Sequence, residues 1–261
     1  MADVTAGGDA APDAEVRVVA DAAALAEEAA REVVSAFGGG AARGRGTIAL
    51  SGGSTPRRLY ARLAAEPWRG RVAWERLEFF FGDERHVPPD DPQSNYRMAR
   101  EELFDRVPVP AANVHRIRAE DPDPARAARG YEEEIRRVFA LSPEAVPRFD
   151  VALLGLGPDG HTASLFPHTT ALAETRRLVV ANRVDKLDTW RITLTAPVFD
   201  AAALVLFLVA GADKAEALRA VLDGPPAPDS FPAQRIRPTG GRLLWLVDRA
   251  AASKRAASAA P

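Results

Sequence analysis

The stretch DVALLGLGPDGHTASLFP, residues 150–167, decides the fold. Val151–Leu154 is an apolar run of the kind found in a strand buried on both faces, and it opens directly into Gly155-Leu156-Gly157-Pro158-Asp159-Gly160-His161. A buried strand that ends in a polar glycine turn belongs to a parallel sheet whose carboxyl edge binds ligands. Toward the C-terminus the same reading gives strands at Leu178–Ala181, Arg191–Thr195 and Leu204–Val209. A helix follows over Asp213–Leu222, then a last strand at Leu243–Val247, with Asp248 as N-cap of a closing helix.

Toward the N-terminus, Val16–Ala20 is a short β-branched run. An Ala-rich amphipathic helix covers Asp21–Phe37 and is stopped by Gly38-Gly39-Gly40. Thr47–Leu50 and Leu77–Phe81 are further buried strands, and a helix carrying Leu59 and Leu63 lies between them, ending at Pro67. Helices over Tyr96–Phe104 and Ala125–Phe139 are separated by Pro-rich joints. Strands alternating with helices predict an α/β chain: a single-domain, mostly parallel Rossmann-like sheet with helices on both faces. That domain is expected over residues 15–250, between flexible tails at 1–14 and 251–261.

Composition narrows the function. The chain has 261 residues, 47% hydrophobic and 27% charged, which is globular rather than disordered. A net charge of -2 gives no field that would draw the whole protein onto nucleic acid or anionic lipid, so neither is expected as a partner. Cys is absent, removing disulfides, thiolate nucleophiles and Cys-held metals together. The four histidines, His86, His115, His161 and His168, lack zinc-type spacing, so no metal is expected. The first residues have no basic n-region or apolar h-region, and no apolar run reaches bilayer length; a cytoplasmic protein is the expectation. Lysine is scarce, with Lys186, Lys214 and Lys254 the only ones among 34 basic residues, so each remaining lysine is of interest.

Four segments carry chemistry. Ser51-Gly52-Gly53-Ser54-Thr55-Pro56 joins a strand to a helix. Its glycines let backbone N–H groups converge, its hydroxyls add donors, and the helix N-terminus supplies positive potential, all suited to a phosphate. It lacks the GKS/T ending of a Walker A loop and the GxSxG of a hydrolase elbow, and a capped tight turn would use the same residues. Gly82-Asp83-Glu84-Arg85-His86 follows an apolar strand and puts an acid and a phosphate-binding fork at the sheet's rim, or else forms a solvated loop with an internal Asp–Arg pair.

The 155–161 turn contains GxGxxG, yet it lies past mid-chain, carries Pro158 inside the turn, and is followed by no acidic residue at the ribose position. A dinucleotide site is therefore rejected. What remains is Asp159 and His161 at the rim, where an imidazole can exchange a proton near neutral pH; the other reading is a histidine packing at a helix start. Gly211-Ala212-Asp213-Lys214 puts a cation in the first turn of a helix, unfavourable unless an anion joins it, though the lysine could equally be solvated.

Taken together, SGGSTPRRLY (51–60), FFFGDERHVPPDDPQSNYRMA (79–99), DVALLGLGPDGHTASLFP (150–167), RITLTAPVFDAA (191–202) and FLVAGADKAEAL (207–218) resemble the 6-phosphogluconolactonase family, in order and from about residue 16 to 250. The resemblance implies a fold similar to the glucosamine-6-phosphate deaminase and phosphosugar isomerase group. It also implies a cofactor-free hydrolase of 6-phospho-D-glucono-1,5-lactone in the oxidative pentose phosphate pathway. By it His161 is the general base, with Asp159 beside it and Arg85 stabilising charge or anchoring substrate. Ser51, Gly52, Gly53, Ser54, Thr55 and Lys214 would hold the phosphate, with Asp83, Gly157, Gly160 and Arg191 also at the ligand.

The family often carries a Ser-Pro-Lys-Pro-Pro segment before RITLT. Here Val184–Trp190 departs from it, so no contact is carried over for that loop and Lys186 receives no role. Two other readings stay open: a phosphosugar deaminase or isomerase with Asp83 as base, disfavoured because HTASLFP replaces the HIAFNEP-like form of the deaminases, and a non-catalytic phosphosugar sensor.

Overall fold

Short apolar runs bounded by glycine turns and separated by amphipathic stretches pair side by side in one direction. A computed structural model of the chain describes residues 14–37 and 45–255. In chain order its elements are β1 (Glu15–Val19), α1 (Ala22–Phe37), β2 (Gly46–Leu50), α2 (Ser54–Leu63), β3 (Leu77–Phe81), β4 (Asp83–Arg85), α3 (Asn95–Glu102) and α4 (Pro124–Val138). There follow β5 (Val151–Gly155), β6 (Val179–Val184), β7 (Thr189–Leu194), α5 (Ala196–Asp200), β8 (Leu204–Val209), α6 (Ala215–Asp223) and β9 (Arg242–Asp248). Caps set the helix starts: Asp21 Oδ1 accepts from the Ala23 and Ala24 N–H groups, and Asp123 caps α4 through Ala125.

Six strands form the main sheet in the order β1-β9-β8-β5-β2-β3, and all of its pairings are parallel. Its central strands are buried on both faces, with Phe207 and Trp245 stacked at 3.7 Å across β8 and β9. The chain moves toward β3 through α1 and α2, then returns toward β1 through α4 and α6. Right-handed crossovers therefore put α1 and α2 on one face and α4 and α6 on the other. The direction reverses between β2 and β5, which makes their carboxyl ends the switch point where ligands bind in such sheets.

Register opens that point. At the amino end Asp150 Oδ2 accepts from the Thr47 N–H and hydroxyl at 2.8 and 2.9 Å. β2 then pairs with β5 only at Ile48↔Val151 and Ala49↔Ala152, while its pairing with β3 continues to Leu50↔Phe81. Beyond Ala49 the two strands splay apart.

The structure corrects several expectations. The strands near 178 and 191 do not join the parallel sheet. β6 and β7 form an antiparallel hairpin that pairs with β4, a second sheet of order β4-β7-β6. Their connection is far shorter than the dozen or so residues a parallel crossover requires. The segment at 83–85 is thus a strand, not a solvated loop. The closing helix is a single 3₁₀ turn, Ala251–Lys254, although Asp248 does accept from the Ala251 N–H at 2.7 Å. A tail beginning at residue 251 is also wrong for 251–255, because Ala251 is buried and Arg255 pairs with Asp223 at 2.9 Å. Gly38–Gly40 and residues 1–13 and 256–261 lie outside the described residues. No described helix is long and apolar enough to cross a membrane.

Candidate active site

The loop after β2 is held from below. Tyr60, buried on α2, donates its hydroxyl proton to the Ser51 carbonyl at 2.7 Å and accepts from the Ser51 N–H at 3.0 Å. Gly52 lies against Asn95 so closely that a Cβ there would sit 2.0 Å from Asn95 Oδ1. Gly53 takes φ +103° as N-cap of α2 and offers no side-chain cap. The first-turn N–H groups of Ser54 and Thr55 therefore have no capping side chain, and Pro56 has no N–H to satisfy. This is the geometry of an anion cradle.

Across the splay, the loop after β5 folds into a tight turn: Gly157 N–H donates to the His161 carbonyl at 2.8 Å and Gly160 N–H to the Gly157 carbonyl at 3.0 Å. Gly157 lets the imidazole lie against the backbone, since a Cβ there would fall 2.0 Å from His161 Nδ1. Asp159 Oδ1 accepts from His161 Nδ1 at 2.5 Å and from its backbone N–H at 3.3 Å. The proton on Nδ1 follows from that carboxylate, which leaves Nε2 with a free lone pair. The His161 ring stacks on Phe166 at 4.1 Å. Burial, outweighing the attraction of Asp83 and reinforced by Lys214, Arg191 and Arg85, pushes the imidazole down to about 4. His161 is therefore neutral at pH 7. No helix begins there, so the packing of a helix-start histidine does not describe it.

β4 carries the third set of groups. Asp83 is buried, with Oδ2 accepting from Ser164 Oγ at 2.6 Å and Oδ1 from Asn95 Nδ2 at 3.2 Å. Glu84 points the other way and accepts from the Asn95 and Tyr96 N–H groups at 2.7 and 2.9 Å, tying β4 to the start of α3; burial pushes its carboxyl up. Arg85 hydrogen-bonds the Gln93 carbonyl and stands directly opposite Arg191 in the β4–β7 ladder. Burial and then the Arg85 guanidinium hold Arg191 below the ordinary arginine value. Like charges opposed across strands are unfavourable unless an anion joins them.

After β8, Gly211 turns at φ +105°, its N–H held by Asp248 Oδ1 at 3.1 Å, and Lys214 becomes the N-cap of α6 with Asp213 at 3.0 Å. Lys214 thus sits just before α6 in a 3₁₀ turn rather than inside its first turn.

These loops enclose one cleft of about 210 Å³, small against the ~300–1,000 Å³ of drug-sized ligand sites. Ser51, Gly52, Gly53, Ser54 and Thr55 line one side; Gly157 and His161 line the other, with Asp83, Arg85 and Lys214 around them. Asp159 and Arg191 do not line it, and stand behind His161 and beside Arg85. Gly160, expected at the ligand, instead faces Phe231, whose Cδ1 would lie 2.7 Å from an added Cβ, and serves the turn at φ +77°. Sequence reasoning missed Asn95, Ser164 and Phe166, and gave Lys186 no role. Asn95 follows Ser94, a helix cap, and that cap was the one local signal available.

A model of the glucosamine-6-phosphate isomerases/6-phosphogluconolactonase family matches residues 20–245. A 6-phosphogluconolactonase of Nostoc sp. is 46% identical over 81% of this chain and 85% of its own length. One from Mycobacterium tuberculosis is 38% identical over 92% and 97%. The solved 6-phosphogluconolactonase of Trypanosoma brucei superposes with a TM-score of 0.83 at 32% identity, covering 94% of this chain and 99% of its own. A monomeric glucosamine-6-phosphate deaminase shares the fold, with a TM-score of 0.76 at 21% identity over 92% of this chain and all of its own.

Proposed function

The chain belongs to the glucosamine-6-phosphate isomerases/6-phosphogluconolactonase family, and from that premise we infer that it hydrolyses 6-phospho-D-glucono-1,5-lactone to 6-phospho-D-gluconate, a step of the oxidative pentose phosphate pathway. The observation that carries the reading is a neutral histidine with a free Nε2 in the same small cleft as an uncapped helix N-terminus and a lysine. One end can take a proton and the other can hold a phosphate.

In this reading Ser54, Thr55 and Lys214 grip the phosphate and so fix the ring, an anchoring effect that acts through position rather than bond polarisation. Nε2 of His161 takes a proton from water as its oxygen bonds to C1, and the carbonyl oxygen becomes an oxyanion. Arg85, with Arg191 behind it, faces that developing charge, and a pre-placed donor of this kind contributes about 3–4 kcal/mol. Collapse breaks the bond from C1 to the ring oxygen, which takes the proton back from the imidazolium, and the new acid ionises to the gluconate. General-base assistance typically supplies ~10²–10⁴-fold. A phosphorylated substrate does not cross a bilayer unaided, so the reading carries a cytoplasmic location with it.

The test is acceleration of 6-phosphogluconolactone hydrolysis by the purified protein, corrected for the spontaneous rate and repeated with EDTA. Among the described residues no group of three His, Asp or Glu is placed to hold a metal, so EDTA is expected to change nothing. Absence of acceleration would refute the reading, and ammonia release from glucosamine 6-phosphate would then point to the deaminase chemistry of the shared fold.

A further inference from the structure

We propose that Lys186, at the tip of the β6–β7 hairpin, is a positioning residue for His161, acting through Asp159 and Phe166. The proposal rests on His161 being the general base. Two contacts carry it. Lys186 Nζ pairs with Asp159 Oδ2, while the other oxygen of that carboxylate holds His161 Nδ1 at 2.5 Å. Lys186 Nζ also stands 4.9 Å from the centroid of Phe166, the ring stacked on His161 at 4.1 Å. One ammonium thus touches both groups that fix the imidazole, one in its plane and one on its face.

The hairpin delivers this ammonium from a distant part of the chain. β6 and β7 stay in register to Val184↔Thr189, and the connection is a 3₁₀ turn over Asp185–Leu187 closed by Asp188 in the left-handed region at φ +48°. The two acids of the turn, Asp185 and Asp188, are both taken by Arg183, which leaves the lysine for Asp159.

The consequence is electrostatic as well as geometric. A carboxylate held on Nδ1 stabilises the imidazolium, and sharing it with an ammonium weakens that pull. The other charges facing His161 are Asp83 and Arg85 on β4, Arg191 on β7 and Lys214 before α6. Lys186 therefore keeps Asp159 in the rotamer that selects the Nδ1–H tautomer and keeps the ring in its proton-accepting form. An exposed ion pair without such a role would leave the histidine untouched.

The experiment compares the parent protein with Lys186→Met and Lys186→Arg. Imidazole NMR, with the His161 resonance assigned by its loss in His161→Gln, follows titration without substrate. In Lys186→Met we expect the His161 midpoint to rise by about one pH unit, and plateau kcat for the phosphorylated lactone to fall about three- to tenfold with KM within about twofold. Lys186→Arg keeps the charge and should titrate like the parent. An unmoved His161 midpoint in Lys186→Met overturns the proposal, as does an Arg variant that tracks the Met variant, or a rise in KM with kcat and midpoint unchanged. A parent protein that fails to accelerate lactone hydrolysis would refute the hydrolase reading instead, and the substrate-free titration tells the two failures apart.

Discussion

The low proton affinity of His161 leads to a pH profile unlike that of an ordinary histidine. With its folded pKa at about 4, the imidazole is neutral across the whole physiological range. At pH 5.5 most of the imidazole is able to accept a proton, against about 9% for a histidine at the unperturbed value of about 6.5. The ratio of rates at pH 5.5 and 7.5 is therefore expected near one, where an unperturbed base would give about one-tenth. The assay is kcat/KM with unphosphorylated gluconolactone, chosen because a substrate phosphate ionises near pH 6 and would add a limb of its own. The same group sets a stability slope. A histidine with a folded pKa below its unfolded value binds fewer protons when folded, so stability rises with pH between about 4 and 6.5 and is lost as pH falls through that window. The span corresponds to on the order of 3 kcal/mol, and His161→Gln should flatten it. A catalytic limb centred at pH 6–7 would refute the claim that burial, together with Lys214, Arg191 and Arg85, governs this residue.

His161→Ala is expected to lower lactone turnover at least about tenfold while 6-phosphogluconate still binds, checked by initial rates and calorimetric titration. Lys214→Ala should weaken binding of phosphorylated ligand and leave hydrolysis of unphosphorylated gluconolactone nearly unchanged; equal losses on both substrates would contradict phosphate anchoring. Gly52→Ala places a Cβ 2.0 Å from Asn95 Oδ1, so either the loop or the Asn95 side chain that holds Asp83 must move, and KM for the phosphorylated lactone should rise about tenfold or more in steady-state assays.

How much of this was legible follows the range of the interactions. Val151–Leu154, Leu204–Val209 and Leu243–Val247 announce themselves as strands because burial on both faces leaves no polar alternation to misread. The uncapped helix start after Ser51-Gly52-Gly53 was legible because its features are local: glycines, hydroxyls and a helix start within one turn. The antiparallel pairing of β6 with β7 is not legible from their apolar runs alone, although the brevity of 182–190 argues against a parallel crossover. Whether Asp159 or a backbone group orients His161 could not be read from the chain, because a side-chain rotamer decides it, and the structure gives the carboxylate. Asn95 against Gly52 and Lys186 against Asp159 are contacts between distant segments, and no spacing rule reaches them.

A glucosamine-6-phosphate deaminase shares this fold, so side chains rather than architecture must separate the two, and position 166 offers one physical difference. The HIAFNEP-like form of the deaminases puts a glutamate where this chain has Phe166. Here the ring stacks on His161 and meets Lys186, contributing bulk and no charge. A carboxylate in its place would stabilise the imidazolium and compete with Asp159 for the lysine, driving the histidine toward a protonated donor. Asp83 changes meaning accordingly. In this cleft both of its oxygens are held, by Ser164 and Asn95, and its charge is the attraction that burial of His161 overcomes. With an uncharged ring at 166 the imidazole stays neutral and free at Nε2, which is the protonation state that drawing a proton from water requires.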